Sequence, residues 1–132
     1  MKRSTLTGLA AMGCAALLTG CLFPRYTTLV EKYPTKTVGD AGETMTAEQA
    51  SAYLKDKLAN VPAGRRPDYP GDQELGKFTT SIRLRRHNRT DLVLVEIKRG
   101  RHVELEFYVR DREEGEKVAA AVWRLYREYN AK

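Results

Sequence analysis

Residues 78–109 read FTTSIRLRRHNRTDLVLVEIKRGRHVELEFYV, and this stretch decides the fold. From Phe78 to Arg85, polar residues alternate with a second set, and the second set is expected to face the core: Phe78, Thr80, Ile82 and Leu84. A period of two is typical of a β-strand with one side against a core. Two later runs repeat the alternation, and residues 87–90 and 99–101 are the expected turns between the runs. The stretch therefore predicts a three-stranded antiparallel sheet.

The same alternation predicts which residues face one another. With these turns, the core-facing pairs of the first two strands are Thr80 with Ile97, Ile82 with Val95, and Leu84 with Val93. Those of the last two strands are Ile97 with Val103, Val95 with Leu105, and Val93 with Phe107. A slip of one residue would turn all of these side chains outward, so the assignment to faces is strongly specified.

One helix is expected before the three strands in the chain and one after them. Thr46 and Gln49 have the spacing of a capping box, which predicts a helix over residues 47–59. Asp111 is an expected N-cap for a second helix over residues 112–129. The order is α-β-β-β-α. Because the sheet has one apolar face, we expect an α+β two-layer sandwich with both helices on that face.

The first twenty-one residues have the features of an export signal. Lys2 and Arg3 precede the uncharged run Leu6–Leu18, which is too short to span a bilayer. The run closes on Leu18-Thr19-Gly20-Cys21, with small residues directly before the cysteine. This motif resembles the lipobox of a bacterial lipoprotein precursor of the signal peptidase II type.

The lipoprotein resemblance implies a location and an anchor. It implies cleavage before Cys21, a lipid on that cysteine, and a membrane-bound protein of the cell envelope. Leu22 stands where an aspartate retains many lipoproteins at the inner membrane, so the resemblance implies the outer membrane, facing the periplasm. The other cysteine, Cys14, would be removed with the signal, and the mature chain would have no free thiol.

Removal of residues 1–20 takes away Lys2 and Arg3 and no acid, so the formal charge falls from +6 to +4. The rest of the chain is enough for one small domain but not for two. We therefore expect a signal peptide over residues 1–20, a lipidated cysteine with a tether over 21–44, and a single α+β domain over 45–132. Residues 26–30, YTTLV, offer an alternative inside the tether, because they are β-branched and aromatic enough to add an edge strand. Residues 61–76 contain three prolines and three glycines and are expected to form a loop.

The outer face of the predicted sheet is the first candidate binding surface. A mixture of leucine, tyrosine and arginine is typical of the centres of protein interfaces. The candidate partner-binding residues are Arg83, Arg85, Leu92, Leu94 and Tyr108. In the alternative, arginine stems cover the leucines and carboxylates neutralise the guanidiniums, which leaves an ordinary solvated face.

A basic cluster around the first turn is the second candidate. Arg83, Arg85, Arg86 and Arg89 present guanidiniums that pair well with phosphate or carboxylate groups. In the envelope such groups belong to lipopolysaccharide, phospholipid headgroups or peptidoglycan, whereas nucleic acid is not an expected partner. The alternative is a plain polar turn that protects the sheet.

The sequence gives little support to catalysis or metal binding. His87 and His102 are expected at opposite ends of the sheet, about eight residues apart at 3.3 Å each, which is too far for a shared metal. The mature chain has no zinc-ligand spacing, glycine-rich phosphate loop or G-x-S-x-G elbow. The sequence therefore predicts no enzyme, cofactor or metal, and favours a non-catalytic binding or scaffolding module for an envelope protein complex. It makes no prediction of the oligomeric state.

Overall fold

A four-stranded antiparallel sheet and three α-helices make up the protein, in a computed structural model that describes residues 25–34 and 44–130. The strands follow one another across the sheet in chain order, and each pairs antiparallel with the next. The elements are β1 (Tyr26–Lys32), α1 (Ala47–Ala59), a 3₁₀ turn (Ala63–Arg65), α2 (Asp72–Phe78), β2 (Ser81–His87), β3 (Val93–Arg99), β4 (His102–Val109) and α3 (Arg112–Tyr129).

Several predictions fall on residues that lie outside this description. These are the signal peptide over residues 1–20 with its part of the lipobox, residues 21–24 and 35–43 of the predicted tether, which include Cys21 and Leu22, and the last two residues of the predicted domain. Within residues 25–34 and 44–130, none of the helices combines the length and the apolar character needed to cross a membrane.

The α+β class and the antiparallel sheet are confirmed, but the predicted number of strands is wrong. The fourth strand, β1, comes from the predicted tether and contains residues 26–30, so the alternative of an added edge strand is confirmed; it pairs along β2 with Val30 opposite Leu84. Its seven residues depend on that pairing, because backbone groups of a single extended segment have no partners until a neighbouring strand supplies them. The order is therefore β-α-α-β-β-β-α, and not α-β-β-β-α.

The predicted number of helices, two, is also wrong, because the expected loop over residues 61–76 contains most of α2. Gly76 is an unfavourable residue for a helix interior, yet here it permits close packing on α3. A Cβ atom at Gly76 would lie 2.6 Å from the carbonyl oxygen of Leu125. Phe78 is the last residue of α2 and is partly exposed, so it does not begin the first strand as predicted.

Both predicted strand registers are wrong by two residues, while the predicted faces are retained from Ile82 onward. Thr80, predicted to face the core, is exposed and Thr79 is buried instead, because both residues precede β2 and do not follow its alternation. Ile82 pairs with Ile97, and Val95 pairs with Phe107.

The first turn lies one residue later than expected: the backbone N–H of His87 donates to the carbonyl of Leu92 over 2.8 Å, which leaves residues 88–91 as the turn, and Asp91 takes a positive φ of 62°. At the second turn, Arg99 pairs with His102, and a register shift lies between Ile97 and Lys98. A two-residue shift keeps every side chain on its own face because the strand period is two.

The core lies between the inner face of the sheet and the helices. Helix α3 contacts β2, β3 and β4, and both α1 and α2 pack on α3. The predicted caps are present: the Thr46 side chain accepts from the backbone N–H of Gln49, and that of Asp111 accepts from the backbone N–H of Glu114. The buried strand residues of this face are Ile82, Leu84, Val93, Val95, Ile97, Leu105, Phe107 and Val109.

One ion pair joins α1 to the start of α3. The Lys57 ammonium donates to Glu114 over 2.8 Å, and the other carboxylate oxygen of Glu114 accepts from the backbone N–H of Arg110 over 2.9 Å. Burial favours the neutral acid, but these hydrogen bonds outweigh it and lower the pKa of Glu114. The pair ties the last turn of α1 to the first turn of α3.

Candidate binding groove on the outer face

A groove of about 900 Å³ crosses the outer face of the sheet and reaches the edge of β4. Its lining combines outward side chains of the sheet, the edge of β4, the end of α1 with the turn that follows it, and Glu114 of α3. Leu92 and Leu94 supply apolar surface from β3 and the residue before it, and Val61 and Pro62 supply apolar surface from the turn. The groove is thus a mixed surface of the kind that protein interfaces use.

Four of the five predicted partner-binding residues line this groove. They are Arg85, Leu92, Leu94 and Tyr108, while Arg83 lies on the same face but outside the lining. Leu92 is 38% exposed and Tyr108 is 40% exposed. Leu94 faces outward as expected, yet it is only 7% exposed. Its cross-strand neighbours are Arg85 and Tyr108, and their long side chains account for its burial.

Glu96 holds two of the arginines on this face. The Arg83 Nε donates to the Glu96 carboxylate over 2.7 Å, and the Arg85 Nη1 lies 3.6 Å from its other oxygen. The side chain of Glu96 is only 7% exposed. The hydrogen bond to Glu96 raises the pKa of Arg83. Two of the four guanidiniums in the basic cluster are therefore already engaged with a carboxylate.

Three rings meet at the end of the groove near the first turn. The hydroxyl groups of Tyr26 and Tyr108 form a short hydrogen bond, and the His87 ring lies edge-to-face with Tyr26 at 5.2 Å between centroids. The Arg85 guanidinium stacks 4.8 Å from the Tyr26 ring centre. Enclosure of its hydroxyl and the hydrogen bond to Tyr26 raise the pKa of Tyr108 to about 12, although much of its ring is exposed.

His87 also orders the turn next to these rings. Its Nδ1 accepts from the backbone N–H groups of Arg89 and Thr90 over 3.2 and 3.3 Å. With Nδ1 as an acceptor, the neutral ring carries its proton on Nε2. The predicted assignment of His87 to the turn is incomplete, because His87 is the last residue of β2 and takes part in the ring cluster.

The structure divides the four arginines of the basic cluster among three places. Arg83 and Arg85 lie on the outer face with Glu96. Arg86 pairs with Val93 and so belongs to the opposite face, and Arg89 lies in the turn. Both Arg86 and Arg89 are exposed. The cluster is a basic hairpin tip and not one continuous surface.

Sequence reasoning missed the groove residues that do not belong to the three predicted strands. Tyr26 falls in the predicted tether, although the alternative edge strand over residues 26–30 includes it, and Val61, Pro62 and Arg65 fall in the predicted loop. The β-branched run after Tyr26 was the available signal for β1. The position of the turn after α1 had no local signal, because it depends on how α1 packs against α3.

The structure shows no group of three or more histidine, cysteine or acidic side chains able to hold a metal ion within residues 25–34 and 44–130. Comparison of the chain with protein-family models, with curated protein sequences and with solved structures finds no match. The fold and the groove are therefore the basis for the proposals that follow.

Proposed function

We propose that this chain is a small lipid-anchored protein of the bacterial outer membrane that faces the periplasm and acts as a non-catalytic binding module for an envelope protein complex. The observation that carries the proposal is the groove, where exposed Leu92 and Tyr108 lie beside Val61 and Pro62. Aromatic and arginine side chains around an apolar centre are what interface hot spots contain. The lipid on Cys21 would hold this groove close to the membrane.

Site-specific photo-crosslinking in cells tests the binding proposal. In the test variant, a photoreactive phenylalanine replaces Leu92 in the groove, and in the control variant it replaces Phe78. The control is matched because each native residue is 38% exposed. The two positions lie at opposite ends of β3, since Phe78 stacks under Arg99. We expect a discrete crosslinked product from position 92 and none from position 78. Equal crosslinking from both positions, or none from position 92, would contradict the proposal.

Metabolic labelling with a palmitate analogue tests the anchor. Cys21→Ser is expected to abolish labelling, whereas Cys14→Ser is expected to leave both labelling and processing unchanged. Fractionation of the labelled envelope is expected to place the protein with the outer membrane. Labelling of the Cys21→Ser chain would refute the lipidation site, and recovery with the inner membrane would refute the location alone.

Recognition of an anionic envelope component is the second candidate function. The observation that favours it is the exposure of Arg86 and Arg89 at the hairpin tip. Binding through these arginines is expected to weaken steeply with ionic strength, whereas binding through Leu92 and Tyr108 is not. Vesicles with and without phosphatidylglycerol, titrated with salt, distinguish the two candidates.

A further inference from the structure

Strand β4 lies at an edge of the sheet, because within residues 25–34 and 44–130 its one strand partner is β3. An edge strand has a row of backbone N–H and C=O groups without strand partners, and these groups can accept another extended chain. The other edge strand is β1. The two edges differ in how well they are protected.

The groove follows the backbone edge of β4 as well as the outer face. It is lined by five consecutive residues, Glu106–Arg110. Successive side chains of a strand point to opposite faces, so a groove bordered by all five reaches around the edge. Val61, Pro62 and Arg65 form part of the opposite wall. Five residues of an extended chain span about 17 Å, which defines the length of the segment that this edge can pair.

Protection of the two edges is unequal. Strand β1 carries a bulge between Thr28 and Val30 and ends on Lys32, and both features discourage pairing with another chain. Strand β4 contains neither proline nor lysine, and its pairing with β3 is regular over Leu105–Val109. The regular part of β4 is also the part that borders the groove.

We propose that the groove binds an extended peptide segment of the partner protein, which pairs along β4 as a fifth strand and places an acidic side chain at Arg65. This inference rests on the proposed binding function of the groove. Strand addition would satisfy the edge backbone groups of β4, and alternate side chains of the peptide would contact the apolar wall at Val61 and Pro62.

The charges of the groove favour an acidic side chain at that position. Lys57 and Arg110 both pair with Glu114, and Arg85 lies against Glu96. Arg65 lines the groove and forms no ion pair among the described residues. Glu106 also lacks an ion pair there, but it projects from β4 itself, whereas Arg65 belongs to the opposite wall. An acidic side chain facing that wall would compensate the Arg65 charge.

Selection from a library of random seven-residue peptides displayed on phage tests the side-chain preference. The target is the full chain in detergent micelles. We expect selected peptides to alternate apolar residues and to carry one aspartate or glutamate at a fixed position. Arg65→Glu is expected to replace that acid by lysine or arginine. The matched control Arg101→Glu, at an exposed residue in the turn between β3 and β4, is expected to keep the acid. A failure to enrich peptides, or an unchanged preference in Arg65→Glu, would overturn the proposal.

Amide hydrogen exchange with one selected peptide tests the strand pairing. Alternate backbone amides within Glu106–Arg110 are expected to slow by at least about tenfold, with no change in Tyr26–Lys32. Protection of β1, or of neither edge, would overturn the inference. A concentration-dependent dimer that blocks the peptide would also overturn it, because the edge would then pair with a second copy. If crosslinking through Leu92 succeeds while β4 stays unprotected, the binding function stands and only this inference fails.

Discussion

The two faces of the sheet bury the same strand by different means. On the inner face, Val95 is fully buried in the core that the helices share with the sheet. On the outer face, Leu94 and Glu96 are buried to nearly the same extent. Their cross-strand neighbours there are the long side chains of Arg85, Tyr108, Arg83 and Glu106.

This difference separates stability from recognition. An inner-face residue loses its cover only when a helix moves, which is a cooperative and costly event. An outer-face residue loses its cover when a few arginine and tyrosine side chains change rotamer, which breaks the Arg83–Glu96 ion pair or the Tyr26–Tyr108 hydrogen bond but moves no helix or strand. The outer face can therefore open to a partner while the inner face remains packed.

A charge on the inner face gives the largest expected effect. Val95→Asp would place a carboxylate between Leu84 and Phe107, its cross-strand neighbours, without a polar partner in the apolar core. Burial of such a group costs several kcal/mol, which is comparable to the whole stability of a small domain, about 5–15 kcal/mol. We expect the variant to lose the cooperative unfolding transition, as measured by circular dichroism. A folded variant with a transition near that of the parent would mean that the inner face is not a closed core.

The inner core was also the part that the sequence predicted best. Helices α1 and α3 have the expected bounds because caps such as Thr46 and Asp111 act within one turn of the chain. The alternation of apolar and polar residues is local as well. From Ile82 onward it therefore predicted which strand residues face the core. Register was not predictable, because the first turn lies one residue later than the polar segment indicated, and because Arg99 pairs with His102 and a register shift lies between Ile97 and Lys98.

The sequence left β1 open as an alternative and missed α2, and both elements depend on distant contacts. Strand β1 exists through its pairing with β2, which lies some fifty residues away in the chain. Helix α2 contains Gly76, which counts against a helix locally and favours one only when α3 is packed against it. The groove needs both β1 and the turn after α1, so the outer-face residues were predictable while the groove was not.

A matched pair of leucines measures the difference between the faces directly. Leu84 on the inner face and Leu94 on the outer face are 0% and 7% exposed. Leu84→Ala is expected to cost about 3 kcal/mol, because helices and strands close around the cavity only in part. Leu94→Ala is expected to cost about 1 kcal/mol, because Arg85 and Tyr108 can fold over the gap. Urea unfolding of both variants provides the comparison. Equal losses would mean that the outer cover is as rigid as the inner one.

Glu96 tests how firmly the outer cover is held. Glu96→Gln removes the carboxylate that Arg83 and Arg85 share, and both arginine side chains are 28% exposed and able to hydrate. We expect a loss of about 1 kcal/mol, well below the about 3–5 kcal/mol that follows the breaking of a fully buried pair. The freed guanidiniums are expected to bind phosphatidylglycerol vesicles more tightly than the parent does.

Glu113→Gln is the matched control for this experiment, since it makes the same change in charge at an exposed residue of α3. Vesicle binding that rises equally in both variants would indicate an effect of net charge alone. A stability loss of about 3 kcal/mol or more in Glu96→Gln would show that the outer ion pair is as structural as a core contact.

The smallest expected effect is the alkaline response of the ring cluster. Tyr108 has a pKa of about 12 in the folded protein, and an unfolded tyrosine has one of about 10. The contribution of its neutral hydroxyl to stability is therefore complete below pH about 10 and is lost as the pH rises toward 12, because the unfolded chain releases its proton first. We expect Tyr108→Phe to reduce the loss of stability over that interval slightly. The ring-carbon NMR signal of Tyr108 reports its titration directly. In Tyr26→Phe that titration is expected to move downward, because the hydrogen bond that favours the neutral hydroxyl is gone. An unmoved titration in Tyr26→Phe would mean that enclosure alone sets the pKa of Tyr108, and that the hydrogen bond between the two tyrosines does not contribute.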